Sequence, residues 1–331
     1  MTNSIMTPEL RAFYNTVDDV RIAHPQFKRA VDQIEKLHME FIDRGRSGGL
    51  IICGDSGTGK TSLVKAYLDR MATNHPELGQ RRHCYVTLKG KATFHTIATA
   101  VLESLGDPRP DYGNLAAKDR RIRMLIRRQN VEIIFIDEMQ HAVDGARDKV
   151  IQECCDWLKS LIDTTCVCFV FIGMPEVEKL LQHDMQFRRR CWAPVRMSVM
   201  RYDTKDQRVV FRTILAGLDQ GTGLKNSVRL ADEDTALQMF VASAGRIALV
   251  HKLVSAAGAN AIREGRPGIG IEDLALAYEE RMGDVTLPFN PFRVPASTLE
   301  VSRAARKSTG ITERMAANDP EEPSLNARLT K

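Results

Sequence analysis

The chain has 331 residues, of which 43% are hydrophobic and 27% charged, with a formal net charge of +5 at pH 7. That length exceeds the roughly 100–200 residues of one ordinary domain and predicts a large domain with a smaller companion. No apolar run approaches the ~18 residues that span a bilayer, and the N-terminus is unlike a secretory signal, so we expect a soluble, cytoplasmic protein. The positive charge permits nucleic-acid binding without demonstrating it.

Apolar runs and helical periodicities alternate along the first two thirds of the chain. The apolar runs predict strands at residues 48–53, 84–88, 131–136, 166–172 and, more briefly, 195–199. Helical spacing predicts helices at residues 24–44, 62–68, 94–105, 119–129, 150–161 and 176–182. Because strands interleave with helices, we predict an α/β fold in which a parallel sheet is covered by helices on both faces.

The strand signals stop at about residue 201, and helical segments follow. These segments cover residues 204–218, 232–244, 246–262 and 271–281. The chain therefore divides into an N-terminal extension at 1–22, an α/β core at 23–201, a small all-α domain at 202–283 and a flexible tail at 284–331. The tail is expected to be extended because it has too few apolar residues to fold alone.

A phosphate-binding motif follows the first predicted strand. Residues 54–61, Gly-Asp-Ser-Gly-Thr-Gly-Lys-Thr, satisfy GxxxxGK[ST] at every fixed position. Glycines let backbone N–H groups turn toward phosphate oxygens, and the N-terminus of the next helix favours negative charge. We predict that Lys60 neutralises the β- and γ-phosphates of ATP and that Thr61 ligates Mg²⁺. The predicted nucleotide-binding residues of this P-loop are Gly54, Asp55, Ser56, Gly57, Thr58, Gly59, Lys60, Thr61 and Ser62.

A pair of carboxylates supplies what hydrolysis needs. Four apolar residues at 133–136 lead directly to Asp137 and Glu138, at the carboxyl edge where a doubly wound sheet binds its ligands. We predict that Asp137 holds Mg²⁺ and its waters, and that Glu138 orients and polarises the attacking water. The sequence therefore predicts an enzyme that hydrolyses ATP to ADP and phosphate.

Two further arginine positions are candidates for contact with a nucleotide. Arg188, Arg189 and Arg190 follow a predicted short helix, and one of them could enter the phosphate site of a neighbouring subunit and stabilise transition-state charge. Arg246 begins a helix of the all-α domain and could reach the nucleotide of its own subunit. The alternatives are a solvated basic turn for the first group and an ordinary surface arginine for the second.

Basic residues between the two motifs predict contact with double-stranded DNA. Lys89 and Lys91 flank a glycine at a strand end, where a flexible backbone allows both amines to approach phosphates without reading the base sequence. Arg120 and Arg121 lie on the predicted helix at 119–129, together with three further arginines. For this helix, a solvated basic face is the alternative.

The predicted tail contains one apolar segment. Leu287-Pro-Phe-Asn-Pro-Phe292 sets two phenylalanines among prolines. Such a segment can dock on a partner protein, and packing against its own all-α domain is the equal alternative.

The order of P-loop, carboxylate pair, arginine-rich turn and helical domain resembles AAA+ ATPases over about residues 20–283. The resemblance implies an AAA+ core at 23–201 and a lid at 202–283. It also implies an arginine finger among Arg188, Arg189 and Arg190, and a nucleotide-sensing arginine at Arg246. Many relatives carry a polar residue that senses the γ-phosphate at the end of the strand after the carboxylate pair. Residues 170–174 of this chain have none.

Within AAA+, the chain is most similar to the TniB/TnsC family of transposition regulators. The similarity rests on His24-Pro25, the GDSGTGKT loop, the IDEMQH segment at 136–141, the IGMP segment at 172–175 and the FRRR turn at 187–190. It implies that His24 and Pro25 adjoin the nucleotide, and that the protein assembles with ATP on double-stranded DNA as a ring or helical filament. It further implies communication between a target-selection protein and a transposase.

Two other functions use the same machinery. A helicase loader or replication initiator would carry a winged-helix DNA-binding domain after the lid, and the chain after Met282 is short and polar for one. A signalling ATPase that binds only protein would show no stimulation by DNA.

Overall fold

The computed structural model describes residues 7–19, 24–76, 82–225, 227–282 and 287–299. Contacts along the chain define two compact units. The sheet unit contains residues 21–199 and 246–248, and the helical unit contains residues 1–20, 200–245 and 249–331. The first helix, α1 (Pro8–Asp19), belongs to the helical unit.

The sheet unit is built from alternating strands and helices. Its described strands are β1 (Gly49–Gly54), β2 (Arg82–Thr87), β3 (Val131–Asp137), β4 (Cys168–Gly173) and β5 (Val195–Met197). Its described helices are α2 (Pro25–Arg44), α3 (Ser62–Asn74), α4 (Phe94–Ser104), α5 (Leu115–Gln129), α6 (Asp148–Thr165), α7 (Lys179–His183) and α8 (Met185–Arg190). Two 3-10 turns, Met139–Ala142 and Pro175–Glu178, follow β3 and β4. The helix predicted at 176–182 is therefore divided between the second turn and α7.

The sheet is parallel, with the strand order β2-β3-β4-β1-β5. β4 therefore lies between the strand that leads into the P-loop and the strand that ends in the carboxylate pair. Cys53 near the end of β1 pairs with Gly173 at the end of β4, and Thr87 at the end of β2 pairs with Asp137 at the end of β3. The carboxyl ends of the strands thus meet at one edge, and the predicted α/β fold is confirmed.

Side chains on the two faces of the sheet form two apolar clusters, as expected for a parallel sheet covered on both sides. On β1, Ile51 and Cys53 belong to one cluster, whereas Leu50 and Ile52 belong to the other. Helices α4, α5 and α6 contribute to the first cluster, and α2 and α3 to the second. Full burial of one such aliphatic side chain contributes roughly 1.5–3 kcal/mol to the stability of the fold. The central strands are therefore firmly packed, and they hold the carboxyl edge of the sheet in place.

The helical unit combines α1 with four helices that the sequence predicted. These are α9 (Lys205–Gly221), α10 (Glu233–Ser243), α11 (Ile247–Arg263) and α12 (Ile271–Arg281). The ring of Phe13 on α1 lies directly against Gly258 of α11, because a Cβ at position 258 would come within 2.1 Å of Phe13 Cζ. His251 Nε2 also lies 2.9 Å from the carbonyl oxygen of Val17. The segment predicted as an N-terminal extension therefore supplies one helix of this unit.

Residues 287–299, which belong to the predicted tail, pack on the helical unit. Leu287 and Phe292 are buried, and the Phe292 ring lies 6.3 Å from the Tyr278 ring. Of the two alternatives for this segment, the structure favours packing on its own domain for these two side chains, whereas Phe289 is exposed. The remainder of the predicted tail lies outside the described residues.

None of the described helices is by itself long and apolar enough to cross a membrane. By length and composition alone, α10 and α11 reach that limit only as a pair, across a bend of 114°.

Candidate nucleotide-binding site

The P-loop connects β1 to α3 at the carboxyl edge of the sheet. Gly57 and Gly59 have positive φ angles of 80° and 89°, which residues with a Cβ adopt at a cost. Within the described part of the chain, the N–H groups of Ser56 to Lys60 donate to no protein acceptor. A run of such N–H groups before a helix N-terminus forms a cradle for phosphate oxygens.

The start of the P-loop is fixed by the edge strand. A Cβ at Gly54 would lie 2.0 Å from the carbonyl oxygen of Met197 on β5, so only glycine permits this approach. Thr58 Oγ1 donates to the carbonyl oxygen of Asp55 at 2.9 Å, which closes the loop on itself. The predicted phosphate loop therefore has both the backbone freedom and the anchoring that the motif requires.

The ammonium group of Lys60 is buried within the site. Its Nζ donates to the carbonyl oxygens of Gly54 at 2.6 Å and Asp55 at 2.7 Å. Burial lowers the pKa of Lys60, and the negative charges of Glu138, Asp137 and Asp55 oppose that change. The two sequence motifs are therefore electrostatic neighbours, and the amine is positioned among groups that a nucleotide phosphate would join.

Asp137 is almost completely buried, and both of its oxygens are engaged. Oδ1 accepts the N–H of Glu138 at 2.8 Å, and Oδ2 accepts the hydroxyl of Tyr85 on β2 at 2.7 Å. Burial, together with the bond to Asp137, raises the pKa of Tyr85 to about 12, so the hydroxyl remains a donor at neutral pH. Sequence reasoning missed Tyr85, because only the pairing of β2 with β3 brings it to the carboxylate.

Glu138 has a left-handed backbone, with φ 59° and ψ 33°, and precedes the 3-10 turn Met139–Ala142. Its carboxylate Oε2 accepts a hydrogen bond from Nε2 of Gln140. The Gln140 Oε1 in turn accepts the N–H of Met174, just beyond β4, at 3.0 Å. In the sequence, Gln140 has no role of its own and is only one residue of the segment 136–141 that resembles the family. The structure places its side chain between Glu138, the candidate base, and the tip of β4.

The residues predicted to hold Mg²⁺ are Thr61 and Asp137. Thr61 is exposed at the start of α3 and its side chain makes no capping hydrogen bond, so its hydroxyl is accessible. Ser62, the next residue, is exposed as well. The described residues contain no group of three or more His, Cys, Asp or Glu side chains that could hold a metal ion. Mg²⁺ bound with a nucleotide needs no such cage, because it keeps waters and phosphate oxygens and takes one or two protein ligands. The hydroxyl and carboxylate present therefore fit this ion.

His24 and Pro25 start α2 beside the P-loop. The Nδ1 of His24 accepts the N–H of Phe27 at 3.3 Å, Pro25 occupies the first helical position, and burial lowers the pKa of His24. A Cβ at Gly59 would lie 3.9 Å from the Phe27 ring. The structure thus gives His24 a capping role next to the loop, while its contact with the nucleotide stays a prediction.

Arg246 and the two residues after it belong to the sheet unit by their contacts. Arg246 Nη1 donates to the carbonyl oxygen of Ser56 at 2.8 Å, and the N–H of Ala248 donates to the carbonyl oxygen of Gly57 at 3.0 Å. The alternative of an ordinary surface arginine therefore does not describe Arg246, because it binds the P-loop backbone.

The sequence profile of the family described as Bacterial TniB protein matches residues 14–201. The chain belongs to the TniB family. The match spans α2, the P-loop, both carboxylates and the arginines of α8, and so covers most of the residues of the candidate site. The sequence has no match among curated proteins.

Solved structures similar to this TniB-family chain include archaeal ORC and Cdc6 proteins. The ORC2 protein of Aeropyrum pernix has a TM-score of 0.60 at 12% identity, covering 94% of this chain and 87% of that one. Cdc6p of Pyrobaculum aerophilum has a TM-score of 0.58 at 14% identity, covering 98% and 87%. The ORC1 protein of Aeropyrum pernix in complex with DNA has a TM-score of 0.59 at 17% identity, covering 81% and 69%. At these identities the likeness establishes the fold alone.

The three arginines of the family's FRRR segment form a helix, α8, and the predicted turn is wrong. Asp184 caps this helix by accepting the N–H groups of Gln186 and Phe187 at 2.7 and 2.8 Å, and Phe187 is buried in the core. The cap at Asp184 and the burial of Phe187 both favour a helix over a turn at these residues.

The three arginine side chains are not equivalent. Arg190 Nε and Nη2 donate to the two carboxylate oxygens of Asp163, each at 2.7 Å. Arg188 and Arg189 are exposed and have no ion-pair partner within the described residues. Arg188 and Arg189 are therefore the side chains that a neighbouring subunit could meet.

Lys89, Gly90 and Lys91 form an exposed loop beside the carboxylate pair. Gly90 has φ 60°, and a Cβ added there would meet no atom within 4 Å. On one flank the N–H of Leu88 donates to the carbonyl oxygen of Asp137 at 3.0 Å, and on the other the N–H of Ala92 donates to that of His141 at 2.8 Å. We call residues 89–91 the lysine loop; both of its ends are hydrogen-bonded to the segment that carries Glu138.

The two arginines of α5 that were predicted to bind DNA differ in exposure and contacts. Arg120 is exposed. Arg121 donates to both carboxylate oxygens of Asp107, at 2.9 and 3.0 Å, and to the backbone carbonyls of Arg109 and Tyr112. The guanidinium of Arg121 thus fastens the loop before α5, so the lysine loop and Arg120 are the more accessible cations.

Proposed function

We propose that this chain is an ATPase that assembles on double-stranded DNA when ATP is bound, and that regulates DNA transposition by linking a target-selection protein to a transposase. Membership of the TniB family supports the role in transposition. The AAA+ fold supports nucleotide-dependent assembly into a homo-oligomer.

One observation supports ATP hydrolysis more than any other. The P-loop and the carboxylate pair lie at the same edge of the sheet, on either side of β4, and Lys60 is within electrostatic range of both Asp137 and Glu138. A phosphate cradle next to a pair of carboxylates is an arrangement suited to phosphoryl transfer to water.

Each side chain has a distinct task in this proposal. Lys60 and the loop N–H groups bind the phosphates. Thr61 and Asp137 would hold Mg²⁺, which would supply positive charge to the phosphate oxygens. Glu138 accepts a hydrogen bond from the attacking water and orients it toward the γ-phosphate. Arg188 or Arg189 of an adjacent subunit adds positive charge to the transition state.

The lysine loop is the proposed DNA contact. Its two ammonium groups are exposed, its glycine lets the backbone approach closely, and such contacts bind phosphates without base specificity. Because both flanks of the loop are hydrogen-bonded to the segment 137–141, a displacement of the loop by DNA would be transmitted to the backbone next to Glu138. Arg120 extends the basic surface.

A combined assay of turnover and sedimentation tests the proposal. Purified protein is measured with and without ATP and with and without duplex DNA, beside the Lys60→Ala variant. We expect ATP to drive the wild type, but not the variant, into large DNA-bound assemblies. If ATP is hydrolysed while DNA changes neither assembly nor rate, the DNA role is wrong and a protein-only ATPase becomes the better description.

A replication initiator or helicase loader is the second candidate, because the solved structures that match include replication-type ORC and Cdc6 proteins. The two candidates differ in their partners. Pull-down of a transposase would support transposition, whereas ATP-dependent capture of a replicative helicase with no transposase bound would favour the second candidate.

A further inference from the structure

The tip of β4 lies between the two halves of the candidate site but offers no polar side chain to it. Gly173 ends the strand, paired with Cys53 of the P-loop strand, and Met174 follows. Any polar contact at this point must come from the backbone or from another segment. The segment that provides it is the 3-10 turn after β3, through the side chain of Gln140.

Both the nitrogen and the oxygen of the Gln140 side-chain amide form hydrogen bonds. Nε2 donates to Glu138 Oε2, and Oε1 accepts the N–H of Met174 at 3.0 Å. Chemistry fixes which way round the amide lies, because a carboxylate only accepts hydrogen bonds and a backbone N–H only donates them. A flipped amide would oppose oxygen to oxygen and N–H to N–H, so the orientation is unique.

Packing holds the amide in place. A Cβ at Gly173 would lie 2.5 Å from Gln140 Oε1 and 3.1 Å from its backbone nitrogen, so the glycine leaves the space that the Gln140 amide occupies. The Gln140 carbonyl oxygen accepts the N–H groups of Val143 at 3.0 Å and Asp144 at 2.7 Å, which fixes the backbone from which the side chain extends. We call the contact from Glu138 through the Gln140 amide to the Met174 N–H the bridge. The 3-10 turn Met139–Ala142 holds the residue that forms it in place.

We propose that Gln140 is a positioning residue for ATP hydrolysis, which holds the carboxylate of Glu138 and ties it to the backbone at the tip of β4. The inference rests on the proposed ATPase function. One carboxylate oxygen is bound by Gln140, which leaves Oε1 to accept a hydrogen bond from water. Since the other end of the bridge is the Met174 N–H, a shift of the β4 tip changes where that oxygen points.

Kinetics of position-140 variants test this role. Gln140→Ala removes both hydrogen bonds, and Gln140→Met keeps the length of the side chain without its amide. We expect kcat to fall by roughly tenfold or more in both, a part of the 10²–10⁴-fold that a positioned base contributes. The KM and the Kd for a fluorescent ATP analogue should stay within about twofold, because neither bond contacts the nucleotide-binding residues.

Two controls separate positioning from general damage. Gln220→Ala removes an exposed glutamine of α9 and should retain wild-type kcat. In a Glu138→Gln background, adding Gln140→Ala should leave the residual single-turnover rate unchanged, since a residue that acts through Glu138 has nothing left to position.

The outcomes are distinct. Wild-type kcat in Gln140→Ala, or an equal further loss in the Glu138→Gln background, overturns this inference and leaves the ATPase function intact. A wild-type protein that binds ATP without turnover overturns both. Loss of kcat at constant KM, with the loss absent in the double variant, supports the bridge.

Discussion

Arg246 donates a hydrogen bond from Nη1 to the carbonyl oxygen of Ser56, at 2.8 Å, in the middle of the P-loop. The next P-loop carbonyl, that of Gly57, accepts the N–H of Ala248. Two adjacent carbonyls of the loop are thus held from outside, which leaves the N–H of Gly57 between them free to turn toward a phosphate.

We expect Arg246→Ala to weaken ATP binding by about tenfold, since a hydrogen bond from a charged group is worth roughly 1.5–3 kcal/mol and part of it is recovered by water. The Kd for a fluorescent ATP analogue measures this change. Arg263→Ala is the matched control, because Arg263 is the exposed last residue of α11, the helix that Arg246 precedes, and bonds only to Asn260 in the described structure. Equal Kd values for both variants would contradict the role of Arg246.

Glu138→Gln should bind ATP with wild-type affinity and hydrolyse it about 10²–10⁴ times more slowly, because the neutral amide cannot accept a proton from water. If assembly on DNA depends on bound ATP, the variant should also accumulate in the DNA-bound form. Glu103→Gln, at an exposed position of α4, should behave as wild type. Normal turnover in Glu138→Gln would show that another group activates the water.

Lys89→Ala/Lys91→Ala should bind duplex DNA less tightly and with a weaker salt dependence. Loss of two phosphate contacts lowers the slope of log K against log salt by roughly 1.8. Fluorescence anisotropy across a salt series measures both quantities. The double variant Lys149→Ala/Lys205→Ala removes the same charge from two exposed positions elsewhere, and if it weakens binding equally, the effect is one of net charge and the lysine loop is not the contact.

The arginine finger can be identified by mixing subunits. We expect Arg188→Ala/Arg189→Ala to lose turnover in assemblies while its own P-loop stays intact. Lys60→Ala has the opposite defect, so a mixture of the two inactive proteins should regain activity at shared interfaces. No recovery on mixing would argue against a finger supplied between subunits.

Arg190→Ala serves as the comparison for this experiment. Its ion pair with Asp163 is partly exposed, with side-chain exposures of 32% and 50%, and such pairs contribute about 1 kcal/mol or less. We therefore expect near-normal turnover and a small loss of stability, and an inactive Arg190→Ala that recovers on mixing would reassign the finger to Arg190.

Asp184 links acid stability to the position of α8. Burial alone would raise the pKa of Asp184, but hydrogen bonds from Lys159, the Phe187 N–H, Gln152 and the Gln186 N–H outweigh burial and lower it. A carboxyl with a lowered folded-state pKa contributes stability that is fully present above its unfolded pKa of about 3.9 and is lost as the pH falls through its folded value.

Asp184→Asn should therefore lower the free energy of unfolding by roughly 1.5–3 kcal/mol at pH 7, the range for hydrogen bonds to a charged group. The difference from wild type should shrink below about pH 4, where the wild-type carboxyl begins to lose its advantage. Urea titrations at several pH values measure this, with the exposed Asp144→Asn as control. A difference that does not depend on pH would mean that the charge of Asp184 is not what stabilises the capped helix.

The sequence predicted those parts of the site whose signals are local. The P-loop and the carboxylate pair are short motifs at the ends of apolar strands, and both lie where the strand pattern put them. Tyr85 and Gln140 had no comparable signal. Tyr85 reaches Asp137 across 52 positions of sequence, and Gln140 reaches Met174 across 34, and both contacts depend on which strands are neighbours.

The ion pairs within the fold could not be predicted from the sequence either. Arg121 and Arg190 were candidates because of their charge, and both have carboxylate partners, 14 and 27 positions away. The grouping of α1 with the helical unit also depends on a distant contact, between Val17 and His251, 234 positions apart. Amphipathic periodicity indicates that a helix has a buried face, but it does not indicate what that face covers.

The fit of Phe13 against Gly258 has a practical meaning for protein engineering. Shortening the chain from its first residue to reach the P-loop would remove the ring that fills this space and leave the glycine face of α11 open to water. A fragment that begins at the family match, residue 14, would carry the same defect. Affinity tags should therefore be attached before α1, and shortened variants should keep α1, so that this helix stays packed on α11.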